Sequence, residues 1–242
     1  MVKKCVTNLL ADLHIHTALS PCADEQMTPP AIVQAALEKG LAMIAICDHN
    51  SAGNARSVRA AAGERLTVLA GMEITTAEEV HVLGIFPDVD AACACGSEVA
   101  ATLPALASDS SDCDLQRLMD AEGRTIGSEP VMLSAATRFS LEQIVALIKR
   151  HGGLAIASHA DRRSFSVTSQ LGFFPSRAGF DAIDIQGALR SWTSFGLPVI
   201  RSSDSHYLTE IGSRCSSFPM TEPTFEQLRS VLRQGGGYFG SA

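Results

Sequence analysis

Short apolar runs alternate with segments of helical period along most of the chain. Runs of strand length stand at 42–47, 66–70, 154–158, 182–186 and 198–202, and helical spacing of apolar residues covers 28–40, 52–62, 140–151 and 224–234. Glycines follow several of the helical segments, as is typical of helix ends. Repeated strand-then-helix order predicts an α/β fold built on a parallel sheet, either open or closed into a barrel.

Two stretches depart from this alternation. Residues 73–86 predict a hairpin, because Val80, Val82 and Gly84 alternate with more polar positions. Residues 88–138 are small and polar, with a predicted loop at 108–112 and a short hairpin whose turn lies at 121–123. We interpret 88–138 as an insertion within a single domain spanning 1–242, a length that one barrel commonly reaches.

Polar residues interrupt the first apolar run in a regular way. On an extended strand Asp12, His14 and His16 point to one face, while Leu13 and Ile15 point to the other. Two imidazoles at positions i and i+2 can converge on one metal ion. This pair alone is a weak signal, because a half-exposed strand face explains it equally well.

The remaining polar residues strengthen the signal, because they also fall at predicted strand ends. Six of the seven histidines do so, beside three acids: His14, His16, His49, His81, His159 and His206, with Asp24, Glu73 and Asp204. Only His151 lies in a last helical turn, where the helix carbonyl end accounts for it. Strand ends carry the chemistry of α/β folds. The pattern therefore predicts a metal centre on one rim, in which a carboxylate among imidazoles suits the bridging of two cations.

Composition limits the possible partners and the compartment. The net charge of −7 argues against general attraction to nucleic acid or to an anionic membrane, so an anionic substrate must be held locally. No apolar run reaches the ~20 residues of a membrane span, and no signal peptide is recognised. Seven scattered cysteines predict reduced thiols and a cytoplasmic location, with Cys22 and Cys47 as packing residues.

Seven short motifs together resemble the PHP (polymerase and histidinol phosphatase) family of metallophosphoesterases. In chain order they are D-L-H-I-H at 12–16, S-P-C-A-D at 20–24, C-D-H-N at 47–50, G-M-E at 71–73, V-H-V-L-G at 80–84, S-H-A-D-R at 158–162 and S-D-S-H at 203–206. They span almost the whole chain. The resemblance implies a distorted seven-stranded β/α barrel, similar to a TIM barrel, with its metal site at the carboxyl ends of the strands.

The resemblance also implies a trinuclear centre with nine ligands. Carried over residue by residue, these are His14, His16, Asp24, His49, Glu73, His81, His159, Asp204 and His206, with Glu73 bridging and with Glu73, Asp204 and His206 as catalytic residues. Glu25 competes with Asp24, since Pro21-Cys22-Ala23 lengthen this motif. Asp12 and Asp48 are expected to orient ligand imidazoles. Arg162, Arg163 and Arg190 are candidates for binding the substrate phosphate.

A charge count favours an anionic substrate at such a centre. Three divalent ions with three carboxylates and six neutral imidazoles leave a formal +3, which a phosphomonoester dianion and one hydroxide neutralise. We therefore expect hydrolysis of a small phosphoester, such as a nucleotide, a sugar phosphate or histidinol phosphate, by a metal-activated water. Zinc, manganese and iron all suit the ligands. Oligonucleotide ends, an amidohydrolase-like C–N hydrolase and a non-catalytic metal-stabilised binding module stay open as alternatives.

Overall fold

A computed structural model describes residues 5–106, 116–187 and 194–235, and the backbone of 238–239. Its main sheet has nine strands, in the spatial order β11-β10-β1-β2-β3-β4-β7-β8-β9. The strands are β1 (Thr7–Ile15), β2 (Met43–Ile46), β3 (Thr67–Thr75), β4 (His81–Phe86), β7 (Leu154–Ala157), β8 (Ala182–Asp184), β9 (Val199–Ile200), β10 (Ser216–Met220) and β11 (Tyr238–Phe239). The predicted short hairpin forms a separate pair, β5 (Arg117–Met119) and β6 (Thr125–Ser128).

The sheet is mixed, so the prediction of a parallel sheet is wrong in part. β1–β2–β3 and β7–β8–β9 are parallel, but β4 runs antiparallel to both of its neighbours because a tight hairpin joins it to β3. Seven strands run from β1 to β9, and beyond them a bridge between Ile15 and Ser205 brings the chain after β9 back to β1. The β/α barrel is thereby nearly closed, as expected. The strand count is higher than seven because β10 and β11 continue the sheet beside β1.

Six helices lie in the described part of the chain. Four match the predicted segments: α1 (Pro29–Glu38), α2 (Ala55–Ala62), α4 (Leu141–Arg150) and α6 (Phe225–Arg233). Two were not predicted, α3 (Val89–Ala100) and the short α5 (Val167–Leu171). The α3 helix begins the 88–138 segment and buries Val89, Cys95 and Val99, with Asp88 as its N-cap. This segment thus starts with a packed helix, while its predicted loop at 108–112 lies outside the described residues.

Two apolar cores lie on the two faces of the sheet. The inner core gathers one face of the strands, including Leu13, Leu83 and Ile156, and is covered by Phe225 and Leu228 of α6. The outer core lies between the sheet and the other helices. Ile15 belongs to the outer core although Leu13 belongs to the inner one, which corrects the prediction that they share a face. The pairing of β1 with β2 shifts register between Asp12 and Ile15.

The structure also bears on the expected absence of membrane spans and on the state of the cysteines. None of the helices among the described residues is long and apolar enough to span a membrane. The described cysteines are free thiols, and Cys47 is fully buried beside Leu13, as expected of a packing residue.

Candidate metal centre

Eight of the nine predicted ligands, all except Asp24, meet at one rim of the barrel. His14 is the penultimate residue of β1 and His16 directly follows that strand. His49 follows β2, His159 follows β7, and Asp204 and His206 follow β9. Glu73 lies near the end of β3, and His81 is the first residue of β4. Because β4 runs antiparallel to β3, its first residue lies at the same rim as the last residues of the parallel strands.

Four buried side chains form the densest part of the cluster. His14 Nε2 lies 3.0 Å from His16 Nε2, 3.4 Å from Asp204 Oδ1 and 3.4 Å from Glu73 Oε2. His16 Nε2 lies 3.2 Å and 3.5 Å from the same two carboxylate oxygens. These four ligand atoms face one another across a space with almost no solvent exposure.

Glu73 lies between two groups of imidazoles. Its Oε2 faces His14 and His16 and is 3.3 Å from His49 Nδ1. Its Oε1 is 3.1 Å from both His81 Nδ1 and His159 Nε2, and it accepts a 2.7 Å hydrogen bond from Ser158 Oγ. A carboxylate with imidazoles beside each oxygen has the position that a bridging ligand requires, and its bridging role stays a prediction.

His206 completes the cluster at the side nearest solvent. Its ring stacks on His16 with 4.2 Å between centroids, and His49 lies 4.6 Å from His16 on another side. The Nδ1 atom of His206 is 2.9 Å from the carbonyl oxygen of Asp204, which leaves Nε2 for the cluster. Glu210 accepts the backbone N–H of His206 at 2.9 Å and so holds this segment in place.

The pKa directions show where the site favours positive charge. Burial disfavours the charged form of Glu73, but His81 and His14 outweigh burial, and the pKa of Glu73 lies well below its usual range. Burial likewise opposes ionisation of Asp204, whose pKa is nevertheless lowered by His14 and His16. Conversely, Glu73 and Asp204 overcome burial and raise the pKa of His14. For His16, burial prevails and lowers the pKa to about 4, so this ring is neutral near pH 7.

Two ligand candidates have unusual backbone conformations. His159 and Asp204 have positive φ angles of 27° and 56°, in or near the left-handed region that side chains other than glycine rarely adopt. Such a conformation costs on the order of 1–3 kcal/mol and persists only where the surrounding structure imposes it. Asp204 is held through its two neighbours, because Ser203 donates to Asp12 and Ser205 pairs with β1.

Asp12 and Asp48 are buried near the candidate ligands, but among the described residues neither accepts directly from an imidazole, which corrects the expectation that they orient ligand rings. Asp48 accepts hydrogen bonds from Thr17 and from Ser20 Oγ, and the same hydroxyl lies 2.9 Å from His16 Nδ1. Asp48 thus acts on His16 through Ser20. Asp12 accepts from the backbone of Ser203 and of Gly212, so it fixes the Asp204 segment instead of an imidazole. Burial raises the pKa of both carboxyls to about 6.

Asp184 is a further buried acid that the sequence analysis did not single out. Its Oδ2 lies 3.9 Å from His14 Nδ1, and none of these atoms has a hydrogen-bond partner in the described structure. Burial raises the pKa of Asp184. The sequence signal that could have identified Asp184 is its position at the end of an apolar run, since it is the last residue of β8 at the rim.

The other predicted residues are placed as follows. Asp24 is half-buried; its N–H donates to the carbonyl of His206, but its side chain accepts from Gln26 and joins no ligand group. Glu25 is exposed and faces Arg117 at 3.4 Å. Arg162 donates to Asp204 Oδ2 at 2.7 Å.

Arg163, Arg190 and His151 are the remaining residues that the sequence analysis discussed. Arg163 is exposed beside Arg162, and Arg190 lies outside the described residues. His151 caps α4, where its Nε2 is 2.7 Å from Glu98, away from the cluster as expected.

The donor set fits divalent metal ions. Nitrogen and oxygen atoms converge to within 4.8 Å of one another in three overlapping groups: His14, His16, Glu73 and Asp204; His49, Glu73 and His81; and His16, His49 and His206. Imidazole nitrogens and carboxylate oxygens that converge in a buried space are the donors that a divalent cation takes in proteins. The raised pKa of His14 also shows that the site favours positive charge.

The fold and this ligand set define a β/α-barrel protein with a histidine-rich metal centre. The family model of the PHP domain matches residues 12–166, and that of the PHP-associated region matches 186–236. The chain belongs to the PHP domain family. This confirms the resemblance drawn from the motifs.

Comparisons with individual proteins extend this result. The 5'-3' exoribonuclease Rnm of Escherichia coli is 33% identical over 87 residues, which are 34% of this chain and 29% of that protein. The lesion-specific endonuclease Q of Pyrococcus furiosus has a TM-score of 0.71 at 18% identity, over 96% of this chain and 58% of that one. A structure of endonuclease Q in complex with a 27-mer duplex substrate that carries an abasic lesion has a TM-score of 0.68 at 17% identity, with the same coverage. This chain therefore spans less than two thirds of each of these relatives.

A protein of more similar length also shares the fold. A structure from Bifidobacterium adolescentis, assigned to the metal-dependent phosphoesterases, has a TM-score of 0.58 at 19% identity, and the match covers 93% of this chain and 96% of that one. Family and fold both support the expected class, a metal-dependent phosphoester hydrolase.

One expectation is contradicted by these comparisons. A small phosphorylated substrate was expected, and the net charge of −7 argued against general nucleic-acid binding, yet two of the similar proteins are an endonuclease bound to duplex DNA and an exoribonuclease. The error is physical. Net charge averages over the whole surface, whereas bound metal ions and rim arginines would set the local field at such a site.

Proposed function

We propose that this protein is a metal-dependent nuclease that hydrolyses phosphoester bonds of nucleic acids at a centre of three divalent ions. Its support is one observation: three overlapping groups of ligand atoms on a rim that opens into a cavity with two arginines. Ions bound here supply positive charge that lowers the pKa of a water and neutralises the phosphoryl group. Zinc, manganese or iron suits the mixed nitrogen and oxygen ligands.

The chain's own residues would hold and orient the phosphate. Arg162 is partly exposed and donates to Asp204, so its guanidinium lies between the ligands and the cavity. A guanidinium binds two phosphate oxygens at once and stays charged at all relevant pH values. Gln186 also donates to Asp204 Oδ2, at 3.0 Å, and fixes the carboxylate that contacts both Arg162 and the cluster.

The cavity next to the cluster suits a substrate longer than one phosphate. It has a volume of about 500 Å³ and is lined by Arg162, Asp204, His206, Tyr207 and Arg214, among others. Tyr207 is 51% exposed, and Arg214 is also exposed. A second cation and an aromatic ring beside the metal centre are the residue types that bind neighbouring phosphates and bases of a strand. The similarity to nucleases points the same way.

The test compares substrates and counts metal in one preparation. Purified protein is analysed for metals, then incubated with single-stranded RNA, single-stranded DNA, duplex DNA containing an abasic lesion, and small phosphomonoesters. We expect metal bound at all three ligand groups and cleavage of at least one nucleic acid, faster than any phosphomonoester.

Two controls separate this activity from contamination. Asp204→Ala, purified identically, should lose cleavage while retaining the circular dichroism of the fold. Chelation should abolish cleavage by the wild-type protein, and adding back zinc, manganese or iron should restore it with at least one of these elements. Release of phosphate from monoesters alone would contradict the proposed substrate, and a metal-loaded protein without any hydrolysis would contradict the proposed activity.

A further inference from the structure

Phe165 has a position that its packing in the protein does not explain. Its ring is 42% exposed, and its backbone φ is +57°, a left-handed conformation that is unfavourable for an aromatic residue. The conformation is fixed by a hydrogen bond of 2.9 Å, in which the N–H of His81 donates to the carbonyl of Phe165. The first residue of β4 therefore holds this ring at the metal rim.

The ring of Phe165 is stacked on a metal-ligand candidate. Its centroid lies 4.6 Å from that of His81, with 19° between the planes. The Nδ1 of His81 is directed to Glu73 at 3.1 Å, so the stacked pair lies next to the centre. One face of the phenyl ring is thus covered by an imidazole, while the side chain remains substantially exposed.

A cavity lies beside this ring, separate in its lining from the arginine-rich one. It has a volume of about 320 Å³ and is lined by Pro21, Cys22, His49, Thr75, His81, Ser134 and Phe165. The lining contains no arginine or lysine. Cys22 borders both cavities, so they lie on two sides of the same ligand cluster.

From this arrangement we infer that the Phe165 cavity binds one nucleobase of the substrate, stacked on the phenyl ring, next to the phosphate being cleaved. The inference rests on the proposed nuclease activity. A planar base with an apolar face and polar edge matches an aromatic ring with Thr75 and Ser134 nearby, and the cavity lies at the small end of the range for ligand pockets, about 300–1,000 Å³. The charged backbone of the strand then continues towards Arg162 and Arg214.

The test pairs side-chain variants with abasic substrates. Oligonucleotides that the wild-type protein cleaves are prepared with a single abasic site at each position around the scissile phosphate. We expect the abasic site to slow wild-type cleavage about tenfold at one position, since each stacked base contributes substantially to binding. Phe165→Ala should cleave the intact substrate at that reduced rate and should show no further loss on the abasic one.

Two further variants separate stacking from structural damage. Phe165→Tyr keeps an aromatic face and should retain the sensitivity to the abasic site that Phe165→Ala loses. Phe173→Ala removes a 62% exposed ring from the same segment and should behave like the wild-type protein. Metal content is measured for each variant, because loss of metal would show that Phe165 acts through His81.

The outcomes distinguish this inference from the function on which it rests. If the wild-type protein cleaves no nucleic acid, the proposed function fails. If it does cleave, and Phe165→Ala slows intact and abasic substrates equally, or has no effect, only the base-binding role is overturned.

Discussion

The carboxylate of Asp204 contacts Arg162 on the side of the open cavity and the ligand cluster on its other side. Oδ2 of Asp204 accepts from Arg162 at 2.7 Å, whereas Oδ1 faces His16 Nε2 at 3.2 Å. The guanidinium is thereby fixed next to the position of the metal centre without being a ligand itself. A residue so placed is suited to bind the substrate phosphate.

Removing this guanidinium should reduce turnover more than stability. We expect Arg162→Ala to lower kcat/KM about 100-fold, because a preorganised contact to the phosphoryl group is lost. Arg162→Lys should recover part of it, since it restores charge without the paired donors. Steady-state cleavage rates check this, with Arg59→Ala on α2 as the control. Equal losses of kcat/KM in Arg162→Ala and Arg59→Ala would contradict the assignment of Arg162 to phosphate binding.

Removing metal should destabilise the fold. Chelation leaves Glu73 and Asp204 buried together with no cation between them, both with pKa values below their usual range. Loss of binding free energy of about 3 kcal/mol would lower Tm by roughly 6–12 °C in a chain of this length. Differential scanning calorimetry with and without chelator measures the shift. An unchanged Tm after complete removal would exclude a shared site.

The competition between Asp24 and Glu25 can be decided by metal content. We expect Asp24→Ala to lower it, because the hydrogen bond from the Asp24 backbone to the His206 carbonyl places the Asp24 carboxylate beside the rim. Glu25→Ala should not, since that side chain is exposed and faces Arg117. Elemental analysis of the two variants under identical loading is the measurement. The reverse result would make Glu25 the ligand.

His151 and His159 provide a matched pair of histidine substitutions. His151→Ala should leave cleavage within about twofold of wild type, because a solvent-accessible pair with Glu98 contributes little. His159→Ala removes a buried nitrogen 3.1 Å from Glu73 and should cost about 100-fold. The rates of the two variants, measured together, test both assignments. Similar losses would place His151 in the site.

Gly71 permits a close approach of strands below Glu73. A Cβ atom at this position would lie 2.8 Å from both Cys47 Sγ and the carbonyl oxygen of Gly84. Gly71→Ala should therefore destabilise the protein by about 1–3 kcal/mol through overpacking. Gly127→Ala, in the exposed β6 strand with its nearest contact at 3.9 Å, is the control. Urea denaturation of both variants gives the difference.

The sequence predicted that these histidines cluster because they lie at the ends of apolar runs, a signal that requires no knowledge of packing. It could not predict α3, whose residues are mostly small and form no pronounced apolar stripe. Asp184 was overlooked because a single acidic residue within an apolar run forms no repeating pattern of polar positions. The position of Phe165 depends on a hydrogen bond to His81, a contact between residues far apart in the chain. The similarity to nucleases could not be anticipated from the net charge, because net charge does not report the local field at a site.

The ligands also differ in how far apart they lie along the chain. Glu73 and His81 are joined by one hairpin, whereas His16 and Asp204 meet across 188 positions. The hairpin is a local contact with a low entropic cost of loop closure, while the other pairing requires nearly the whole barrel to assemble first. We therefore expect high-affinity metal binding to be a late event in folding, because it needs the first strand of the barrel and the segment after its last strand to be side by side.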